Sequence, residues 1–174
     1  MNTKATRNSI ILVALAFIAA IAFGILSRPG ADTQEITEYL EEMAPFAQSH
    51  TEWLEDYEAL TGMYGILSQS QKVEELNKLL GRMEEIQIGF DASTPPEILE
   101  NIKVKWNNEA ISIQQAIFLL SQGIERNNID WISQAYELLL EAESTRQQWK
   151  DELSDILIKN NIETEDTALS VYFD

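Results

Sequence analysis

From Ile36 onward the large apolar positions recur at alternating spacings of three and four: Ile36, Tyr39, Met43, Phe46, His50, Trp53, Tyr57, Leu60, Tyr64 and Leu67. That period predicts a long helix burying one stripe, with His50 its only strongly polar member. Asp32 or Thr33 is placed to cap it, with Glu35 in capping-box spacing after Asp32. Pro45 interrupts the pattern, removes a backbone donor and predicts a kink or restart near Met43 and Ala44.

A second, shorter helix is predicted from about Gln71 to Ile86, with Val73, Leu76, Leu80 and Met83 on one face. The stretch from Gly89 to Glu97 reads as a boundary. Thr94 is the expected N-cap of helix three, Pro95 its first residue and Glu97 the partner in the box. Helix three then buries Leu99, Ile102, Trp106, Ala110, Ile113, Ile117, Leu120 and Ile124, and ends at Asn127-Asn128. Asp130 is the expected cap of helix four, whose inward positions include Trp131, Ala135, Leu138, Ala142, Trp149 and Ile156. Only Ala168 to Phe173 alternates in a way that suits a strand. Otherwise residues 161–174 form a short tail, acidic then apolar, expected to fold back on the helices.

Short connections make successive helices antiparallel, so the expected fold is all-α: an up-down-up-down four-helix bundle over residues 32–160. A helical hairpin completing its core as a homodimer, through a coiled coil of the first stripe, is the alternative.

Residues 10–26, IILVALAFIAAIAFGIL, are apolar throughout. A helix of that length spans about 25 Å, the short end of a bilayer core but longer than most secretory h-regions. Residues 1–28 are therefore expected to be a retained signal-anchor, a single transmembrane helix. Lys4 and Arg7 precede the run, and no Lys or Arg falls between Arg28 and Lys72, which puts the N-terminus in the cytoplasm and the helical domain in the periplasm or cell exterior. Ala20-Ile21-Ala22 has the small-x-small spacing of a cleavage site, so the alternative is a secreted factor released after Ala22.

Composition removes several classes of chemistry. The chain has 174 residues, no Cys and one His, with 12 Lys+Arg against 29 Asp+Glu and a net charge of −17. Disulfides, thiolate metal sites and cysteine nucleophiles are absent, and so acidic a chain lacks the basic face that nucleic acid requires. The residue three before His50 is Ala47, so the Glu-x-x-His pairs of a di-iron bundle are missing. No HExxH, GxSxG, P-loop or DxDxDG signature occurs. No cofactor, metal or catalytic residue is expected, and the chain reads as a non-enzyme.

Charge placement is more informative. Nine acids, Asp32, Glu35, Glu38, Glu41, Glu42, Glu52, Glu55, Asp56 and Glu58, lie between Asp32 and Leu67 without one Lys or Arg. Like charges at i,i+3 and i,i+4 destabilise a helix, which makes Glu38, Glu41, Glu42, Glu52, Glu55, Asp56 and Glu58 candidates for docking a protein partner with a basic surface. His50, the one side chain of a type that changes charge between pH 5 and 8, is a candidate ligand or pH-sensing position. With Trp53, Tyr57, Trp106, Trp131 and Trp149 it defines the alternative function, a sensor-like bundle binding a small molecule in an aromatic interior. The leading expectation is a membrane-anchored scaffold or accessory protein.

Overall fold

The computed structural model describes residues 31–163 and 168–173. Four long helices account for most of them: α1 (Ala31–Gly62), α2 (Gln69–Asp91), α3 (Glu100–Glu125) and α4 (Ile129–Lys159). Short 3-10 turns occupy Glu97–Leu99 and Ala168–Tyr172, and no strand occurs among the described residues. The chain divides into units of residues 1–34 and 35–174, and the packing described here belongs to the second. The expected anchor at 10–26 and the cleavage site at Ala22 lie outside the described residues. Among those described, no helix is long and apolar enough to cross a membrane.

Cross-helix bonds give the direction of each neighbour. Tyr39, early in α1, bonds Ser93 just past the end of α2 at 3.1 Å. Gln69, opening α2, donates to the carbonyls of Ile124 and Glu125 that close α3. Asn101, at the start of α3, donates to Glu152 near the end of α4 at 2.8 Å. Successive helices therefore run antiparallel, as the short connections require.

The stripe of α1 is buried by the chain's own helices: Ile36 and Trp53 are fully buried, and Tyr39, Met43 and Leu60 are nearly so. A coiled-coil dimer through this stripe is thereby overturned. From the other helices Leu76, Met83, Leu99, Ile113, Ile117 and Leu153 complete the core. The ring of Phe46 sits where a Cβ at residue 89 would be, so Gly89 lets α1 approach α2 closely.

Several local expectations are corrected. Helix α1 runs through Pro45 without a restart and ends at Gly62. Pro45 removes only the one bond to Glu41, and buried Met43, Ala44 and Ala47 hold the turns on either side. Helix α2 begins at Gln69 and continues to Asp91, past Gly89. Ser68 caps it in a full box, its backbone N–H donating to Gln71 Oε1 at 2.9 Å. The Thr94–Pro95–Glu97 box does not form, because Pro96 keeps Pro95 out of the helical region and delays the start to the Glu97–Leu99 turn.

Asn128, not Asp130, caps α4: its Oδ1 accepts from Asp130 N at 3.0 Å and Trp131 N at 3.2 Å. The reason lies one residue earlier, where Asn127 at φ 53° closes α3 in a Schellman turn, with Asn128 N bonded to Gly123 O at 2.8 Å. That turn leaves Asn128 extended and in the capping position. Asn161 repeats the device at the end of α4, with Ile162 N on Leu157 O at 3.0 Å. The tail folds back as expected, but Ala168–Tyr172 is a 3-10 turn rather than a strand. Leu169 and Tyr172 are buried, and the Tyr172 hydroxyl donates to the Leu40 carbonyl at 2.7 Å.

Candidate functional site

Two places on α1 gather polar groups, one facing inward and one outward. The inward one centres on Glu109 of α3, 1% exposed. Its Oε1 accepts from Arg146 Nε of α4 at 2.6 Å and lies 3.3 Å from His50 Nε2, and its Oε2 accepts from the Trp149 indole N–H at 2.6 Å. Three helices thus contribute to one carboxylate. Arg146 reaches outward with its other nitrogen to the exposed Glu143 at 2.7 Å.

Burial pushes the Glu109 carboxyl up. The His50 hydrogen bond and charge, the Arg146 charge and the Trp149 N–H together outweigh that and hold it below the ordinary carboxylate range. The result is a charged, fully partnered group in the core, the condition under which a buried carboxylate is tolerated.

Of the residues expected to form an aromatic interior, His50, Trp106 and Trp149 do come together. Trp106 stacks on Phe90 at 3.8 Å between ring centroids and tilts against His50 at 5.8 Å. Trp53 and Tyr57 instead stack on each other further along α1, and the Trp53 N–H donates to the Leu79 carbonyl at 2.7 Å. Burial, with the nearby Tyr136, pushes the Tyr57 hydroxyl up to about 12. Trp131 lies apart, half-buried beneath the guanidinium of Arg126. Beside Trp106 and Trp149 the interior space is about 20 Å³, the size of one water.

Glu109 and Arg146 are legible in the pattern, although neither is apolar. Glu109 stands three after Trp106 and four before Ile113; Arg146 stands four after Ala142 and three before Trp149. Each therefore falls in the inward register of its own helix, as His50 does. One ionisable residue in the stripe of each of three helices is the signal of a buried network.

The outward place is an open groove of about 660 Å³ between α1 and the C-terminal turn. Glu41, Glu52 and Glu55 of α1 line it, with Gln48 and Thr51 between them, and Pro45, Ala44 and Val171 add apolar surface. All seven candidate docking acids are exposed, but they do not form one site. Glu38, Glu42 and Glu58 fall outside the groove, and Asp56 is paired with Arg82 of α2. Glu52 also accepts from Gln48 at 3.0 Å.

Among the described residues no group of three His, Asp or Glu side chains is placed to hold a metal ion. Compared with protein-family models, curated proteins and solved structures, the chain matches none of them.

Proposed function

We propose that this protein is a membrane-anchored interaction module that acts by binding rather than by catalysis, with its helical domain outside the cytoplasm. Its partner presents a basic segment, held in the groove between α1 and the C-terminal turn. The observation that carries the reading is the convergence of Glu41, Glu52 and Glu55 on one groove with a partly apolar lining. Glu41 and Glu55 are 14 residues apart on one helix, about 21 Å. That length suits a peptide of several residues whose Lys or Arg side chains meet the carboxylates while an apolar residue covers Pro45 and Val171. The anchor and the orientation rest on residues 10–26 and on Lys4 and Arg7.

The test is fluorescence anisotropy of a labelled Lys/Leu peptide titrated with the full-length protein in detergent, at roughly 50 and 500 mM salt, where screening differs severalfold. Binding at low salt, weakened at high salt and lost in Glu41→Lys/Glu52→Lys/Glu55→Lys, is the expected result. A triple variant that binds as well as the parent removes the groove from the function.

A further inference from the structure

The C-terminal turn borders two sites at once. In a 3-10 helix residues three apart share a side, so Leu169 and Tyr172 of Ala168–Tyr172 face one way and leave Ser170 and Val171 to the others. Ser170 and Val171 line the groove, while Leu169 and Tyr172, 1% and 4% exposed, enter the bundle. There Tyr172 borders one interior space with Tyr39, Leu40, Phe90, Trp106 and Trp149, and its hydroxyl donates to the Leu40 carbonyl at 2.7 Å. About 20 Å³ is left beside it, so nothing larger than a water enters while the turn is seated.

This is the arrangement of a ligand in a pocket. All four long helices contribute to the pocket, and the ligand is a short turn whose own backbone bond, from Phe173 N to Ser170 O at 2.9 Å, is internal to it. Such a segment opens locally far more readily than a helix of the bundle, and the tyrosine hydroxyl is satisfied by the carbonyl when seated and by water when released. Charge favours release. After Lys159 the chain carries Glu163, Glu165, Asp166 and Asp174 and no Lys or Arg, and the exposed Glu38, Glu41 and Glu42 stand within two residues of Leu40 on the helix that receives the turn. An acidic tail is thus seated on an acidic helix, and a segment of the same apolar pattern with basic flanks suits the place better.

We infer that the pocket beneath Tyr172 is a binding site for a partner's Leu-x-x-Tyr segment with Lys or Arg flanks, and that the chain's own C-terminal turn is its built-in competitor. With the turn displaced, pocket and groove join, since the turn borders both and Leu40 of the one precedes Glu41 of the other. The incoming leucine and tyrosine take the places of Leu169 and Tyr172. The cations of the flanks meet Glu41, Glu52 and Glu55, which belong to α1 and stay. The basic flanks rest on the reading of the groove as a site for a cationic peptide; the pocket and its competitor do not. A tethered competitor acts at an effective concentration on the order of millimolar, so the turn excludes segments that lack either half of the recognition.

The test is fluorescence anisotropy of labelled peptides titrated with the full-length protein in detergent. One peptide is residues 162–174 of this chain, a second carries Glu163→Lys, Glu165→Lys, Asp166→Lys and Asp174→Lys, and a third adds Tyr172→Ser to these. The parent protein is expected to bind the second peptide, and the third more weakly by about tenfold or more. Leu169→Ser/Tyr172→Ser in the protein frees the pocket and is expected to raise its affinity for the second peptide by about tenfold or more, and to let the first bind as well. Equal binding of the second and third peptides to the parent overturns the pocket without any altered protein. So does a Leu169→Ser/Tyr172→Ser protein, helical by circular dichroism, that binds the second peptide no better than the parent does. Lysine flanks that add nothing while the Tyr172 dependence holds remove the groove and leave the pocket; flanks that add affinity without that dependence leave the groove and remove the pocket.

Discussion

Helix α1 carries His50 on one side and Glu52 and Glu55 on the other, and the two sides treat charge in opposite ways. Inside, one carboxylate, Glu109, receives Arg146, Trp149 and His50. Outside, Glu41, Glu52 and Glu55 line an open groove in water. The buried carboxylate has lost its hydration and depends on its partners, so removing any of them leaves an uncompensated group in the core. The groove carboxylates keep their hydration and contribute little to folding. They set up a field that a cationic partner can use. Charge inside this bundle is shared among three helices; charge outside it stays in water.

The comparison breaks most readily at Glu109. Glu109→Ala takes from the buried Trp149 N–H and His50 their shared partner and leaves Arg146 only Glu143, and is expected to cost about 3–5 kcal/mol in denaturant unfolding. A loss within the range of surface substitutions contradicts the buried-network account. Next, Trp149→Phe removes the N–H that Glu109 Oε2 accepts while keeping much of the aromatic volume, at an expected cost of about 1–3 kcal/mol by the same measurement.

The pH dependence sharpens the comparison further. Glu109 is held below its unfolded value, so its contribution is fully present above about pH 4.3 and is lost as pH falls through the depressed folded value. Unfolding midpoints measured down an acid series should therefore fall more steeply for the parent than for Glu109→Gln. Glu152, also lowered, first by the Lys105 hydrogen bond and then by Asn101, has its side chain 33% exposed and leaves a shallower acid limb in that variant. The smallest effect on folding belongs to the groove. Glu41→Lys/Glu52→Lys/Glu55→Lys is expected to shift stability by no more than about 0.5 kcal/mol while abolishing peptide binding. A large loss of stability there would mean that the outer acids also hold the fold.

Much of the fold was legible because burial is periodic. The stripe from Ile36 to Leu60, that of Leu76 and Met83, and those through Trp106 and Trp149 place a helix wherever the structure has a long one. The ends were less legible because they turn on single backbone conformations. Pro96 moved the start of α3, and Asn127 at positive φ moved the cap of α4 from Asp130 to Asn128. Of the site, the acidity of α1 was visible, but which acids share a groove was not. That depends on where the Ala168–Tyr172 turn lands, anchored by Leu169 and by the Tyr172 hydroxyl on the Leu40 carbonyl.

The four-helix content, the inward stripes and the sign of the surface field follow from the order of residues alone, because helical periodicity and charge are local properties of the chain. It took the packed helices to show that His50, Arg146 and Trp149 share the Glu109 carboxylate, and that three of seven exposed acids face one groove. Each of those sites joins residues far apart in sequence, from as many as three helices or from α1 and the C-terminal turn. Their meeting depends on the rotation of one helix against the next, which packing fixes and no single stripe encodes.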